Sequence, residues 1–285
     1  MAAVEGLRPC RAWQLGVPNS SLQAPPIGSI EAWAWDVIHD EDLERKLNPP
    51  KVPSRFAASF SACRPTQPSR PSPLRVEPRS QKTPRPGALV RVEPRAKILH
   101  VFMHHELQAA EIFCWALLAF PDAPESFRRG LLKIALDELR HARSYRAQVN
   151  RLGFKLGDFP VRDWFWQCFA ACNTPLEFVA MMGVGFEGGN LDHCALWTQR
   201  FRDVGDEEGA LCQEVIERDE IEHVAFAVSW FRRFHGSFDF ESWRHELRGT
   251  VTPTVMRGKP MNPEARKVAG FDEEFMRELT AWDRK

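Results

Sequence analysis

The sequence predicts an all-α fold. Strand-like alternation is almost absent, four long stretches between residues 95 and 236 repeat apolar residues at helical spacing, and strong stop signals separate them. Ser29 precedes IEAWAWDVIHDEDLERKL, whose apolar residues at 30, 33, 34, 37 and 38 predict one helix in an N-terminal segment, 1–48. An extended Pro/Arg-rich arm, 49–94, follows. From Pro49 to Lys97 lie 11 of the 22 prolines and 11 Lys/Arg against only Glu77 and Glu93. Proline removes amide donors and fixes φ, so neither regular helix nor sheet is expected there, and the stretch should run extended, either as a flexible linker or wrapped over the domain. The basic excess could meet RNA or another acidic partner, but a solvated arm is the simpler expectation. RVEPR occurs at 75–79 and again at 91–95 with no repeat around it.

Residues 95–236 carry the four long helices. The first runs from near Pro94 to Phe120 and is stopped by Pro121; Asp122 and Glu125 form a capping box for the second, which ends at Gly153. Thr174, Pro175 and Glu177 open the third, which reaches Val204 and stops at Gly205. Asp206 caps the fourth, which ends at Gly236. The connections at 121–124 and around 205 are short, so the helices pair as two antiparallel hairpins, and 153–174 is the one long crossover of an antiparallel four-helix bundle. A short helix is expected after Asp163, where Trp164, Phe165, Trp166 and Phe169 either line a substrate mouth or cover the bundle end. The C-terminal extension, 237–285, closes with FDEEFMRELTAW, an amphipathic helix expected to dock on the bundle.

Composition narrows the function classes. Lys+Arg and Asp+Glu both number 38, so the whole-chain field of a generic nucleic-acid or anionic-membrane binder is absent. The longest apolar runs, 112–120 and 179–186, are half of what a bilayer requires, so no membrane partner is expected. The N-terminus lacks the basic and apolar regions of a secretory signal, which predicts a cytoplasmic protein. Seven cysteines without a CxxC pair are read as reduced thiols, Cys168 and Cys172 as small buried hydrophobes.

Two ExxH tetrads carry the chemistry: Glu138 with His141 in the second long helix, and Glu220 with His223 in the fourth. Residues three apart share a helix face, so each tetrad presents a carboxylate and an imidazole to one point. Both sit on apolar stripes and therefore point inward. Glu106 is the charged exception on the core stripe of the first helix, and Glu187 holds the same place in the third. Glu106 is preferred to Glu111, whose face carries His104, Gln108 and Trp115 and is more polar. Counting back from each turn at 1.5 Å per residue brings Glu106 level with Glu138 and Glu187 level with Glu220. The offsets nearly repeat, 32 and 33 residues, as expected of two copies of one Glu…ExxH hairpin.

Four carboxylates cannot be buried unpaired without several kcal/mol of desolvation each. Two divalent metals, bound by Glu106, Glu138, His141, Glu187, Glu220 and His223, would balance them. Salt bridges to Arg140, Arg143 or Arg218 are the competing explanation, but those arginines fall off the ligand faces. Asp137 and Asp219 precede the tetrads and are placed to accept the free imidazole N–H of a ligand histidine, or else to face solvent. Tyr145, the single tyrosine, lies one turn beyond His141, either redox-active or simply buried with a satisfied hydroxyl. His104 and His105 are read as surface or packing residues, and Glu217 as an extra carboxylate or a gate for incoming iron.

The segments HHELQAAE (104–111), LLAFPDAPESFRRGL (117–131), DELRHA (137–142), FEGGNLDH (186–193) and DEIEHVAF (219–226) resemble the ferritin-like superfamily, specifically the bacterial ferritin-like domain of unknown function family 455. The ELxA sequence at Glu106 is similar to the first ligand of bacterioferritin-like proteins. Where those often carry an aromatic hydroxyl seven residues on, this chain has Phe113. The resemblance implies a ferritin-like bundle holding two Fe ions, with Mn/Fe or Mn/Mn as alternatives. It brings no assigned reaction. Superfamily members reduce O2 or peroxide; some hydroxylate or desaturate a substrate, one group hydroxylates a modified tRNA base, and others oxidise iron for storage. The expected function is an O2-activating oxidase or monooxygenase acting on an unknown small-molecule or modified-nucleotide substrate, with an unknown electron donor and a homodimer allowed. The alternatives are a ferroxidase or iron-binding protein without organic substrate, and a metal-free helical scaffold.

Overall fold

The computed structural model describes residues 24–78, 82–169, 171–254 and 256–282; the N-terminal stretch read for a secretory signal and Cys10 lie outside them. Among the described residues the chain is helical, with one isolated bridge between Val76 and Val161 as its only β pairing. No helix there is long and apolar enough to cross a membrane. The chain divides into two compact units.

One unit holds Arg11–Lys82 and Arg91–Ala170. In α1 (Ile30–His39) the Ser29 hydroxyl accepts the Ala32 amide, as an N-cap should. The expected single helix breaks at Asp40. Asp40 binds the amide of Asp42 at 2.8 Å, and Asp42 in turn caps α2 (Leu43–Leu47) through the Arg45 amide, so two short acids satisfy the backbone locally instead of extending the helix. α3 (Val92–Ala119) and α4 (Glu125–Arg151) form the first long hairpin. The Asp122–Glu125 capping box does not form. Pro124 occupies the N-cap position, which leaves Asp122 too far upstream to reach the first-turn amides.

α3 is central to this unit: every residue from Glu106 to Ala119 is buried, not one stripe alone. α1, α4, α5 (Trp164–Phe169) and the arm cover it. The Cys63 amide donates to the Leu118 carbonyl at 2.9 Å, the Trp115 indole to the Pro65 carbonyl at 3.1 Å, and Cys63 and Leu74 are buried. Of the two courses expected for the arm, these residues take the wrapped one, and the simpler expectation of a solvated arm does not hold for them. Proline-rich chain lacks the donors for a sheet but keeps its carbonyls, and here they serve as acceptors for side chains of the core. Gly157 lets the arm cross closely, because a Cβ there would stand 2.1 Å from the Pro73 carbonyl oxygen. Trp166 and Phe169 are core cover; neither lines a mouth.

His100, fully buried on α3, accepts the Gly157 amide at 3.0 Å. Burial lowers its pKa to about 4, with His104 and Arg75 pushing the same way. Burial lowers that of His104 as well, although Asp163 opposes it. Both rings are held neutral in the fold, so the unfolded chain takes up their protons first as the pH drops below 6.5. Stability should therefore be intact above pH 6.5 and fall between 6.5 and 4, with His100 contributing on the order of 3 kcal/mol. Urea midpoints across that window check this, and His100→Gln should flatten the slope.

The second unit holds Thr83–Val90 and Ala171–Lys285. Pro86–Val90 forms a 3-10 turn where no helix was expected; proline at its first position pre-sets φ for it. Thr174 caps α6 (Pro175–Phe178) by accepting the Glu177 amide, with Pro175 in the first turn. The helix then widens into a π-helical stretch, Val179–Glu187, and continues as α7 (Gly188–Arg202). α8 (Glu207–His235) is capped by Asp206 and ends on Gly236 at φ 98°. Glycine permits the π-helical geometry and close approach together: a Cβ on Gly183 would stand 2.3 Å from the Ala227 Cβ of α8.

The extension contains more than one terminal helix. α9 (Phe240–His245), α10 (Pro263–Val268) and α11 (Glu273–Ala281) follow α8, and Phe238, Phe240, Trp243, Phe271 and Phe275 form one aromatic cluster. α10 packs on both α7 and α8.

Candidate metal centre

In the first hairpin, α3 supplies Glu106, and the three-residue spacing on α4 brings Glu138 and His141 to the same side. All three are buried, and each offers one donor atom within 4.8 Å of the others. His141 Nδ1 lies 3.4 Å from Glu138 Oε2. Two ligands at about 2.0–2.2 Å from one ion stand roughly 3–3.5 Å apart at tetrahedral or octahedral angles, so this spacing suits a shared cation. The equal depths counted from the turn are thus met within this hairpin.

In the second hairpin α8 repeats the pattern, with His223 Nδ1 3.5 Å from Glu220 Oε2 and both residues buried. Glu187, also buried, ends the π-helical stretch. Among the described residues Glu187 does not join Glu220 and His223 in a comparably tight trio. One imidazole nitrogen with carboxylate oxygens is a donor set for Mn, Fe or Zn, and it contains no thiolate that would favour softer metals.

The arginines that could have made this a set of inward salt bridges are turned elsewhere. Arg140 pairs with Asp137 at 2.7 Å, Arg143 donates to the Leu47 carbonyl and Arg218 to the Glu214 carbonyl. Asp137, only part-buried, is thus engaged on its own helix at the shoulder of the tetrad. Asp219 is part-buried too. Tyr145 is buried with its ring 5.5 Å from that of Phe102. Glu217 accepts from the Asn262 amide group at 2.8 Å, and burial raises its pKa. His105 stacks on Phe165.

The more polar face of α3 is itself buried: Glu111 is held there by Lys46 Nζ at 2.8 Å, Arg70 Nη1 at 2.6 Å and the Trp166 indole at 2.9 Å. Arg70 also binds Asp163, which accepts from His104. Burial pushes the Glu111 carboxyl pKa up, but the two cations outweigh it and hold it below the ordinary range; burial pulls Lys46 down, and Glu111 only partly offsets this. Glu111 is thus occupied by its own cations, which leaves Glu106 as the candidate donor on α3. Sequence reading missed Lys46 and Arg70 because both partners come from the segments before α3, far from Glu111 in the chain. The available signal was slight: Lys46 stands between Arg45 and Leu47 in a short charged helix, and Arg70 between Pro68 and Pro71.

Residues 32–277 match the family described as Protein of unknown function (DUF455). The chain belongs to that family. The match takes in most of α1, the arm, both ExxH hairpins and most of the C-terminal extension, so the family unit includes the segments that cover the hairpins. No curated protein and no solved structure matches the chain.

Proposed function

We propose that the two hairpins pack as halves of one ferritin-like four-helix bundle, and that Glu106, Glu138, His141, Glu187, Glu220 and His223 together hold two iron ions in an O2-activating oxidase or monooxygenase. The observation that carries this reading is the repetition: the same carboxylate–imidazole pair, buried, at 3.4 Å in one hairpin and 3.5 Å in the other. Four glutamates supply the charge that balances two dications, and each histidine adds a neutral nitrogen. Bound iron would supply the electrons and open coordination positions for reduction of O2. The chain contributes a dry, fixed donor set, with apolar neighbours such as Ala142, Ala227 and Phe231 excluding water.

Coverage of the hairpins favours an enzyme over a storage cage. α1 and α5 lie on α3, α2 on α4, and α10 on α7 and α8, so helix faces that a cage would tile are already taken within the chain. The protein purified without added metal should carry up to two iron or manganese ions per chain, and its reduced form should develop an optical change on adding O2. Fewer than one transition metal per chain after anaerobic iron loading would remove the proposal, and a cage-sized native mass would shift it to iron storage.

A further inference from the structure

Glu187 closes the π-helical stretch, and the chain beyond α8 grips that stretch on both sides of it. Upstream, the fully buried Trp243 donates its indole N–H to the Ala180 carbonyl at 2.9 Å. In the middle, the Met256 thioether fills the place of the side chain that Gly185 lacks: an added Cβ would meet its Sδ and Cε at 2.3 Å. Downstream, the buried Arg266 donates to the Gly188 carbonyl at 2.7 Å and pairs with Asp192 at 2.8 and 3.1 Å. Asp192 also accepts the Gly258 and Asn262 amides at 2.9 and 2.7 Å, which ties this grip to α7.

A run of π-helix is intrinsically rarer than α-helix, and it turns the side chains after it to new directions. A stretch this long calls for contacts from outside the helix, and its carbonyls at Ala180 and, one residue past its end, Gly188 receive them from Trp243 and Arg266. We infer that Trp243, Met256 and Arg266 are positioning residues that fix the direction of the Glu187 carboxylate. The inference rests on the reading of Glu187 as a metal ligand, and it assigns the C-terminal extension a role in setting one ligand.

The test uses the full chain. Trp243→Phe keeps a ring and deletes the donor; Arg266→Lys keeps a charge for Asp192 and loses the planar fork. Phe275→Leu, in the same aromatic cluster but with no bond to the stretch, controls for general loosening. Hydrogen exchange of metal-free protein reports on residues 179–190, and manganese(II) titration against a chelator reports affinity. In Trp243→Phe, exchange over 179–190 should speed at least tenfold and one manganese equivalent should weaken about tenfold. Phe275→Leu should change neither. Unchanged exchange and affinity in Trp243→Phe, or the same changes in Phe275→Leu, would overturn the inference while wild-type manganese binding leaves the proposed function standing. A wild type that binds no metal overturns both. If Trp243→Phe does not fold, the same two readouts on Arg266→Lys decide.

Discussion

Glu106→Ala should strip the centre of metal and leave the fold standing, whereas Glu111→Ala should do the reverse. The two glutamates lie five residues apart on α3 and are both buried, but they face different company. Glu106 sits with Glu138 and His141, whose donor atoms lie within 4.8 Å of its own. Removing it takes away a negative charge next to another buried carboxylate, so the metal-free protein should unfold at the same urea concentration or a higher one. Metal affinity should fall at least about 100-fold, the upper end of what losing an outer-shell partner costs. Glu111 is clasped by Lys46 and Arg70. Its removal leaves the buried Lys46 without its counter-charge and Arg70 with Asp163 alone, and breaking a buried pair of this kind costs about 3–5 kcal/mol. That is a large part of the 5–15 kcal/mol that a typical fold has to spare. Urea midpoints and metal content, measured on the same two preparations, separate the roles; the opposite ranking would place the ligand on the Glu111 face.

Metal removal should destabilise the protein markedly. On the proposed reading, four glutamates and two histidines that repel or desolvate one another in the metal-free state would become a balanced set when two dications enter. A ligand present at 100 times its dissociation constant adds about 2.7 kcal/mol per site. At about 2–4 °C per kcal/mol for a chain near this size, full loading should raise Tm by roughly 10 °C or more over the chelated protein. Unchanged melting on adding chelator and then manganese would mean that the carboxylates are stabilised without metal, as in a plain scaffold.

The helices and their ends were legible in the sequence wherever one residue decides the geometry. Ser29, Thr174, Asp206 and Gly236 each do locally what their type prefers. Asp122 failed because Pro124 competed for the same position. The two ExxH pairs were legible because helical periodicity alone brings a residue and its third neighbour together. The burial of Glu111 was not, since it depends on an arm whose prolines carry no periodic signal and whose Arg70 must reach across 41 residues. Gly183, Gly185, Gly188 and Gly189 surround Glu187, a composition that within a helix favours local irregularity or close packing, and the structure has both. What the sequence could not show was the partner chemistry, Trp243 to Ala180 and Arg266 to Gly188, because a hydrogen bond between distant segments leaves no pattern along the chain.

Convergence of the six side chains is tested most directly by anomalous diffraction from a crystal of the manganese-loaded protein. Two peaks about 4 Å apart or closer are expected, one beside His141 and the other beside His223, with Glu106, Glu138, Glu187 and Glu220 around them. Peaks elsewhere, a single peak at the protein surface, or His141 and His223 too far apart to share bridging carboxylates would contradict the dimetal reading.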